Sequence, residues 1–373
     1  MNQTDLVIVG GSFAGLSCAE SAASQGLNTI VLDRKIDAGA IPHTTGILVK
    51  EVADEWDIPS RLCRKITRVK LYSPCLRSIT LHRPDYYFLA TDTPALMRWM
   101  AQRAVDVGAQ IRFGQAFKHA SITHHGVSLP EHKLVSRYMV GADGPNSRVA
   151  RNFGLSQNKH FLMGVEAEFT GVNGLDEDCM HVFIDTDLAP GYVAWALPGM
   201  GITQVGIATR RPAIPELSRL IQRLSSVFDF SQAQQVGQRA GLIPCGGPLS
   251  DVSRERLMLL GDAAGMVSPL TAGGIQPAMH LGNLAGSAIT DYLQNDIGMP
   301  VKDPYKVVKA ATPRYVTKRV LRKSFDTLPI SNKLIDVAFD SHWFRKLAQT
   351  VFFHHRGLLS MQAWSDLLRP IER

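Results

Sequence analysis

Cysteine is scarce in this 373-residue chain and lies scattered: Cys18, Cys63, Cys75, Cys179 and Cys245, with no C-x-x-C pair. That pattern offers neither a disulfide framework nor a zinc signature, and it suits reduced structural thiols in a cytoplasmic protein. Long apolar runs are missing too. No stretch approaches the roughly 18 uninterrupted apolar residues a spanning helix needs, so no transmembrane segment is expected. A basic start followed by a long apolar region is also absent, because Asp5 precedes an apolar run of only a few residues; no signal peptide is expected. Charge of either sign is modest, with 20% charged residues against 45% hydrophobic ones, which excludes a disordered chain and allows two domains around a substantial core. The net charge of +7 favours anionic lipid or phosphate, or simply solubility, and no nucleic-acid partner is expected.

What is present begins at once. Leu6 to Val9 has the length and branching of a buried parallel strand, and it runs into Gly10-Gly11-Ser12-Phe13-Ala14-Gly15 and then a small-residue helix. Strand, glycine turn and helix form a dinucleotide site: glycine allows the close turn, and the helix N-terminus offers N–H groups to a pyrophosphate. Ser12 stands where the usual pattern has its second glycine. The next strand, Asn28 to Asp33, ends in an acid 18 positions after Gly15, where a ribose-binding carboxylate belongs. Arg34 and Lys35 follow and suit either an adenine-side phosphate or solvent. The loop Pro42 to Gly46, with His43, Thr44 and Thr45, is rich in hydrogen-bonding groups and suits a ligand-crossing segment, and a helix is expected near Ile47 to Glu55.

Residues 62–90 alternate as antiparallel strands that interrupt the nucleotide domain, and Thr93 to Val107 has helical periodicity. A strand then ends in Gly-Ala-Asp143-Gly144 and leads into a helix by Val149. From Gly164 to Thr209 strand follows strand, closed by an amphipathic helix from Pro215 to Phe228. A last buried strand delivers Gly261-Asp262-Ala263-Ala264-Gly265, after which Pro269 and Gly273-Gly274-Ile275 open a long helix whose N-terminus can stabilise negative charge. Beyond it, Lys302, Lys306, Lys309, Arg314, Lys318, Arg319, Arg322 and Lys323 face one acid, Asp303. Trp343, Phe344, Leu347, Val351, Phe352 and Phe353 then recur at helical spacing. This region fits either a helical cap on the sheet domain or a basic surface for peripheral membrane contact.

In their order, these motifs resemble the FAD-binding signature of the flavoprotein hydroxylase superfamily, with its glutathione-reductase-type nucleotide fold, over residues 1 to about 295. The resemblance implies that the Gly10–Gly15 turn, Asp33, Arg34 and Lys35 hold the ADP half of FAD. It also implies that Thr45, Gly46, Arg98, Asp143 and Gly144 contact the cofactor, and that Asp262, with Gly261, Ala263 and Gly265, binds the ribityl chain. Pro269, Gly273, Gly274 and Ile275 then face the flavin pyrimidine. The implied architecture is α/β: a discontinuous Rossmann-like FAD-binding domain (1–65, 88–160 and 250–298), an antiparallel-sheet substrate domain (66–87 and 161–249) and a C-terminal helical region (299–373).

Within that superfamily the chain is similar to geranylgeranyl reductases, on Pro269-Leu-Thr-Ala-Gly-Gly-Ile and on Pro190-Gly-Tyr-Val-Ala-Trp-Ala-Leu-Pro198. The second segment resembles the family's Tyr-x-Trp-x-Phe-Pro strand, which lines a lipid-sized cavity, so Tyr192, Val193, Trp195, Leu197 and Pro198 are the expected cavity residues. Leu197 replaces the family's phenylalanine, and Tyr192 stands one place early. In a regular strand that shift turns Tyr192 away from the face shared by Val193, Trp195 and Leu197, whereas an irregularity restores it. Two further departures are His43-Thr-Thr-Gly46, where relatives often carry a cysteine, and Asp92, where they commonly carry an arginine; Arg98 is the expected substitute.

The resemblance implies an FAD-dependent oxidoreductase that reduces C=C bonds of a prenyl lipid by hydride transfer from reduced flavin. Flavin monooxygenases use the same motifs, so hydroxylation of a small aromatic or apolar substrate is the second reading. A flavin-binding carrier without catalysis is the third. No second G-x-G-x-x-G with strand and helix context marks a nicotinamide site, so the electron donor, NAD(P)H, ferredoxin or another carrier, stays open. His43 and Tyr192 are the side-chain candidates for a proton source, with water as the alternative. No metal site is expected.

Overall fold

The computed structural model describes residues 1–295, 303–328 and 330–353. The first strand, Asn2–Val9, lies in the middle of an eight-stranded sheet, parallel to Thr29–Leu32 on one side and to Leu134–Gly141 on the other. Gln110–Arg112 extends the sheet beyond Thr29–Leu32, and Leu257–Leu259 joins parallel to Leu134–Gly141. Leu6, Val7, Ile8, Val31, Met139, Val140 and Met258 are fully buried, which is why these strands read as continuous apolar runs and not as alternation.

Two helices pack on this sheet with backbone against backbone. Phe13–Ser24 crosses Ile275–Gln294, and a Cβ on Gly282 would lie 2.5 Å from the Ala14 carbonyl oxygen, one on Gly286 2.6 Å from that of Cys18. The two ends of the sequence meet there. The helix Thr93–Asp106 begins at Asp92, whose carboxylate accepts the Ala95 N–H at 3.0 Å. Asp92 is thus an N-cap, a role its Asp-Thr-Pro context favours.

The second sheet has seven strands: Gln234–Pro244, Phe161–Thr170, Thr203–Arg210, Ala194–Pro198, Cys179–Phe183, Arg68–Tyr72 and Ser78–His82, in that spatial order. All neighbours are antiparallel except Cys179–Phe183 with Arg68–Tyr72. The helix Leu217–Leu224 covers one face, packing Leu220 and Leu224 against Ala167, Phe169, Val205 and Ile207. Gln234–Pro244 escapes the sequence reading because glycines at 237 and 241 and polar residues break its alternation.

One expectation needs correction. Ile47–Val49 is a strand, and the helix is only Lys50–Glu55; Ile47 and Val49 pair with Phe88–Thr91, which pairs in turn with Cys63–Ile66 in a third, small sheet. Branched side chains suit that edge better than a helix start. Of the strands between residues 62 and 90, therefore, only Arg68–Tyr72 and Ser78–His82 join the large antiparallel sheet.

Among the described residues, the C-terminal helices are Pro304–Ala311, Val316–Thr327, Asn332–Ala338 and His342–Phe353. Ile335, Phe339, Ala348 and Phe353 pack into the cluster of Ile66, Val69, Leu71, Leu81, Phe88 and Leu197, so the last two helices cap the antiparallel sheet. Trp343 and Leu347 point outward and are exposed. Lys302 and residues 354–373 lie outside the described residues.

Candidate active site

The first turn is folded so tightly that only glycine fits. Gly10 has φ +106°, and a Cβ there would lie 2.2 Å from the Ala142 carbonyl oxygen; a Cβ on Gly15 would lie 1.9 Å from the Gly10 oxygen. Gly11 donates its N–H to Asp33 Oδ2 at 2.7 Å, and Lys35 N–H binds Asp33 Oδ1 at 2.8 Å, which fixes the buried carboxylate beside the turn. Ser12 is exposed and its side chain makes no capping bond, so the first N–H groups of the helix have no side-chain acceptor of their own. Arg34 is exposed, Lys35 Nζ approaches the Ala38 carbonyl at 3.4 Å, and Arg98 pairs with Asp37 at 2.9 Å. Arg98 therefore holds the loop after Asp33.

Ala142 and Asp143 lie against Gly10, which brings the second motif to the first. Asp143 accepts from Ser147 Oγ (2.5 Å), Arg148 N (2.6 Å) and Val149 N (3.1 Å), and so caps the helix Arg148–Asn152, with Gly144 at φ +82° allowing the turn. Asn158 ties in the third motif: its Nδ2 donates to the carbonyls of Pro145 (3.1 Å) and Asp262 (2.8 Å). Gly261 abuts Ala14. The Asp262 carboxylate has no hydrogen-bond partner among the described residues, and burial raises it from the ordinary carboxylate range to about 6. Its Oδ1 lies 3.5 Å from where a Cβ on Gly274 would stand, at the uncapped start of the helix Ile275–Gln294. Ala263, Gly265 and Pro269 are buried beside it, and Gly273 is exposed.

These features fit FAD. Two helix starts without side-chain caps, a buried ribose-type acid and an acceptor-only carboxylate with no protein donor match its diphosphate, ribose and ribityl hydroxyls.

The segment His43–Gly46 bridges to the antiparallel sheet. His43 Nδ1 lies 3.0 Å from the Ala240 carbonyl, Thr45 Oγ1 donates to Glu166 Oε2 (2.6 Å), and Gln204 Nε2 donates to the Thr45 carbonyl (3.0 Å). Gly46, at φ +75°, is pressed against Thr91 and Thr93. Four residues face this bridge in one cross-strand row: Trp195 opposite Gly206, Gly206 opposite Glu166, and Glu166 opposite Arg239. A Cβ on Gly206 would lie 2.2 Å from Trp195 Cζ2, so the bare glycine lets the indole lie across its strand. Trp195 Nε1 then donates to Glu166 Oε2 (2.8 Å), while Arg239 binds Glu166 Oε1 (2.5 Å) and Glu168 (2.9 Å). Glu166 is buried, and each of its oxygens has a donor.

Next to that row, Gly164, Ala208 and Gly241 stand abreast, followed by Leu162, Ile243 and Arg210. Tyr192, Trp195, Ile243 and Ala272 close around Leu162, Ala208 and Cys245. Tyr192 therefore shares a cluster with Trp195, which corrects the alternative that turns it away. The strand starts only at Ala194; Tyr192 sits in a bend before it, where strand alternation does not apply, and its hydroxyl donates to the Thr271 carbonyl (2.8 Å). Val193, Trp195 and Leu197 do share one face, packing against Leu71 and Val182, and Pro198 is buried at the strand end.

The similarities to known proteins accord with this geometry. A family model for the FAD binding domain matches residues 77–295, more than half of the chain. The chain belongs to the FAD-binding-domain family. It is an FAD-dependent oxidoreductase. The flavoprotein is 27% identical over 318 residues to digeranylgeranylglycerophospholipid reductase 2 of Methanopyrus kandleri, covering 78% of each chain. Its fold superposes on a geranylgeranyl bacteriochlorophyll reductase-like protein from Thermoplasma acidophilum with a TM-score of 0.81 at 20% identity, covering 99% of this chain and 100% of the other. It also superposes on the p-nitrophenol 4-monooxygenase of Pseudomonas putida with a TM-score of 0.68 at 15% identity, covering 96% and 99%.

Glu166, Arg239, Gln204 and Gly206 are the site residues missed by sequence reasoning. Val165-Glu-Ala-Glu168 carries a signal in its two acids on one strand face, but their partner Arg239 lies on the strand that the sequence hides.

Proposed function

We propose that the flavoprotein reduces C=C bonds of a prenyl lipid, with the reacting segment of the chain lying over the antiparallel sheet beside Trp195 and Tyr192. The observation that supports this most is the strip formed by Gly164, Ala208, Gly241 and Leu162. Small and apolar side chains abreast on three strands suit a thin hydrocarbon and offer nothing to orient a polar ring. The similarity to digeranylgeranylglycerophospholipid reductases favours the same substrate class.

FAD would be held by Gly10–Gly15 and Asp33 at the adenosine and diphosphate end, by Asp262 at the ribityl chain, and by the Gly273–Ile275 helix start at the pyrimidine. When bound and reduced, it supplies the hydride; a proton has to come from elsewhere, and bulk water has to be kept out. Tyr192 stays protonated but is a poor acid, because burial raises its phenol well above the ordinary range, so it suits the wall of the site and leaves the proton step to water. Its hydroxyl proton is held on the Thr271 carbonyl, next to the loop that would meet the flavin. His43 is exposed, and with its Nδ1 proton on the Ala240 carbonyl a neutral ring can only accept at Nε2. The Glu166–Arg239 pair would position Trp195 and Thr45, the wall and the bridge. Exposed Val316, Val320, Phe325 and Trp343, set among Arg319, Lys323 and Arg345, suit peripheral contact with an anionic membrane surface.

The test is anaerobic. Photoreduced holoprotein mixed with a prenyl lipid should regain its oxidised flavin spectrum and yield a saturated product. Reoxidation by O₂ alone, with a hydroxylated product, would establish the monooxygenase reading instead.

A further inference from the structure

The helix Val316–Thr327 is inverted. Lys318 and Arg322, one turn apart on one face, are only 5% and 6% exposed, whereas Val316 and Val320 are 57% and 61% exposed. The two buried cations differ in their company. Arg322 pairs with Asp326 and donates to the Gly191 carbonyl at 2.7 Å, and Asp326 also binds Arg210 at 2.7 Å. Lys318 has no hydrogen bond and no carboxylate partner among the described residues; its one neighbour of note is the Tyr315 ring, whose centroid lies 5.4 Å from Nζ. Asp326 is two turns away along the helix, roughly 12 Å. Burial without a counter-charge lowers the Lys318 pKa. A charged side chain this largely buried is normally paired with an anion.

The position of Lys318 explains what could pair with it. Its neighbour Arg319 lays its aliphatic stem against Gly247, which also abuts the Pro269 ring, and Arg322 reaches the residue before Tyr192. The helix thus closes the end of the apolar strip at the row of Arg210, Leu162 and Ile243, beside the loop Ser268–Ala272. We propose that Lys318 is the anchor of a phosphate-bearing ligand at this end of the strip. An anionic headgroup would be held there while the hydrocarbon lies along Leu162, Ala208 and Gly164. This rests on the prenyl-lipid reading for the identity of the tail, though not for the anion. Arg319, Lys323 and Arg314, all exposed on or beside the same helix, surround the approach with positive charge.

The experiment uses the FAD-loaded full chain and its Lys318→Met and Lys318→Arg variants. Each is titrated with a prenyl diphosphate, the prenol of equal chain length and inorganic pyrophosphate, followed by the flavin difference spectrum and calorimetry. The wild type is expected to bind the diphosphate at least tenfold more tightly than the prenol. Lys318→Met should erase that preference with prenol affinity unchanged, and Lys318→Arg should keep most of it. The ligand-free Met variant should also melt at a temperature equal to or above the wild type, because it removes an unpaired buried charge. Pyrophosphate that binds alone and loses affinity in Lys318→Met identifies a free phosphate ligand. If neither lipid binds but pyrophosphate does so through Lys318, the anion site stands and the prenyl reading fails. Equal binding of both lipids by the wild type, or a preference that survives in Lys318→Met, overturns the proposal.

Discussion

At the nucleotide sheet, glycines 10, 15, 282 and 286 let backbone meet backbone, and nothing larger than hydrogen fits. At the antiparallel sheet Gly206 does the reverse: it clears a space that a side chain, Trp195, occupies on its way to Glu166. The first kind of glycine builds the cofactor site from main-chain geometry, which is local in sequence and tolerates no substitution. The second builds the proposed substrate wall from side chains on four strands, which is non-local. Damage to the first region should therefore remove the flavin, and damage to the second should leave the flavin and remove the reaction.

The largest effect is expected from Gly10→Ala. Its methyl group would meet the Ala142 oxygen at 2.2 Å in a backbone conformation, φ +106°, that side chains rarely adopt. Destabilisation of about 3 kcal/mol or more is expected, with FAD affinity reduced at least a hundredfold, read from thermal melts and from flavin retained on purification. A yellow, stable variant would break the contrast between the two sheets.

Glu166→Gln comes next. It leaves Glu168 as the one carboxylate paired with Arg239 among the described residues and removes the charge that accepts from Thr45 and Trp195. Weakening charge-assisted hydrogen bonds of this kind costs about 2 kcal/mol. Flavin content should stay unchanged while lipid-dependent reoxidation falls at least tenfold; a loss of flavin equal to that in Gly10→Ala would show that the two regions are not separable.

The smallest effect concerns pH at Asp262. In the ligand-free protein its pKa is raised to about 6 from an ordinary value near 3.8. Its contribution to folding stability is therefore complete below the ordinary carboxylate range and is lost as pH rises through about 6. Hydroxyl donors from FAD reverse this preference by stabilising the ionised form, so FAD affinity should rise between about pH 4 and 6, by at most about tenfold per unit, and then level off. Asp262→Asn should flatten the profile. A wild-type profile that is already flat would remove Asp262 from the cofactor site.

The same division decides what could be read in the sequence. Gly10 to Gly15, Asp33 and the Gly261–Ile275 run are contiguous, because a strand-end turn leading into a helix fixes its own geometry within a few residues. The core strands declare themselves by unbroken apolar runs. The row Trp195–Gly206–Glu166–Arg239 has no such contiguity: it exists only once four strands are in register, and one of them, Gln234–Pro244, is polar and glycine-interrupted. Tyr192 is the intermediate case. Its resemblance to the family's tyrosine was visible, but its direction depended on where the strand begins, and a bend before Ala194 decided that.

The close crossing of the helices Phe13–Ser24 and Ile275–Gln294 also imposes an order in time. The turn at Gly10–Gly15 and the partner that seals it, from Gly261 to Gly286, are separated by more than 240 residues of sequence. The first strand waits likewise for Leu134–Gly141 before it gains its second neighbour. Such long-range closure folds slowly. Until the segment from Gly261 to Gly286 is in place, the turn at Gly10–Gly15 therefore lacks the backbone neighbours that close it.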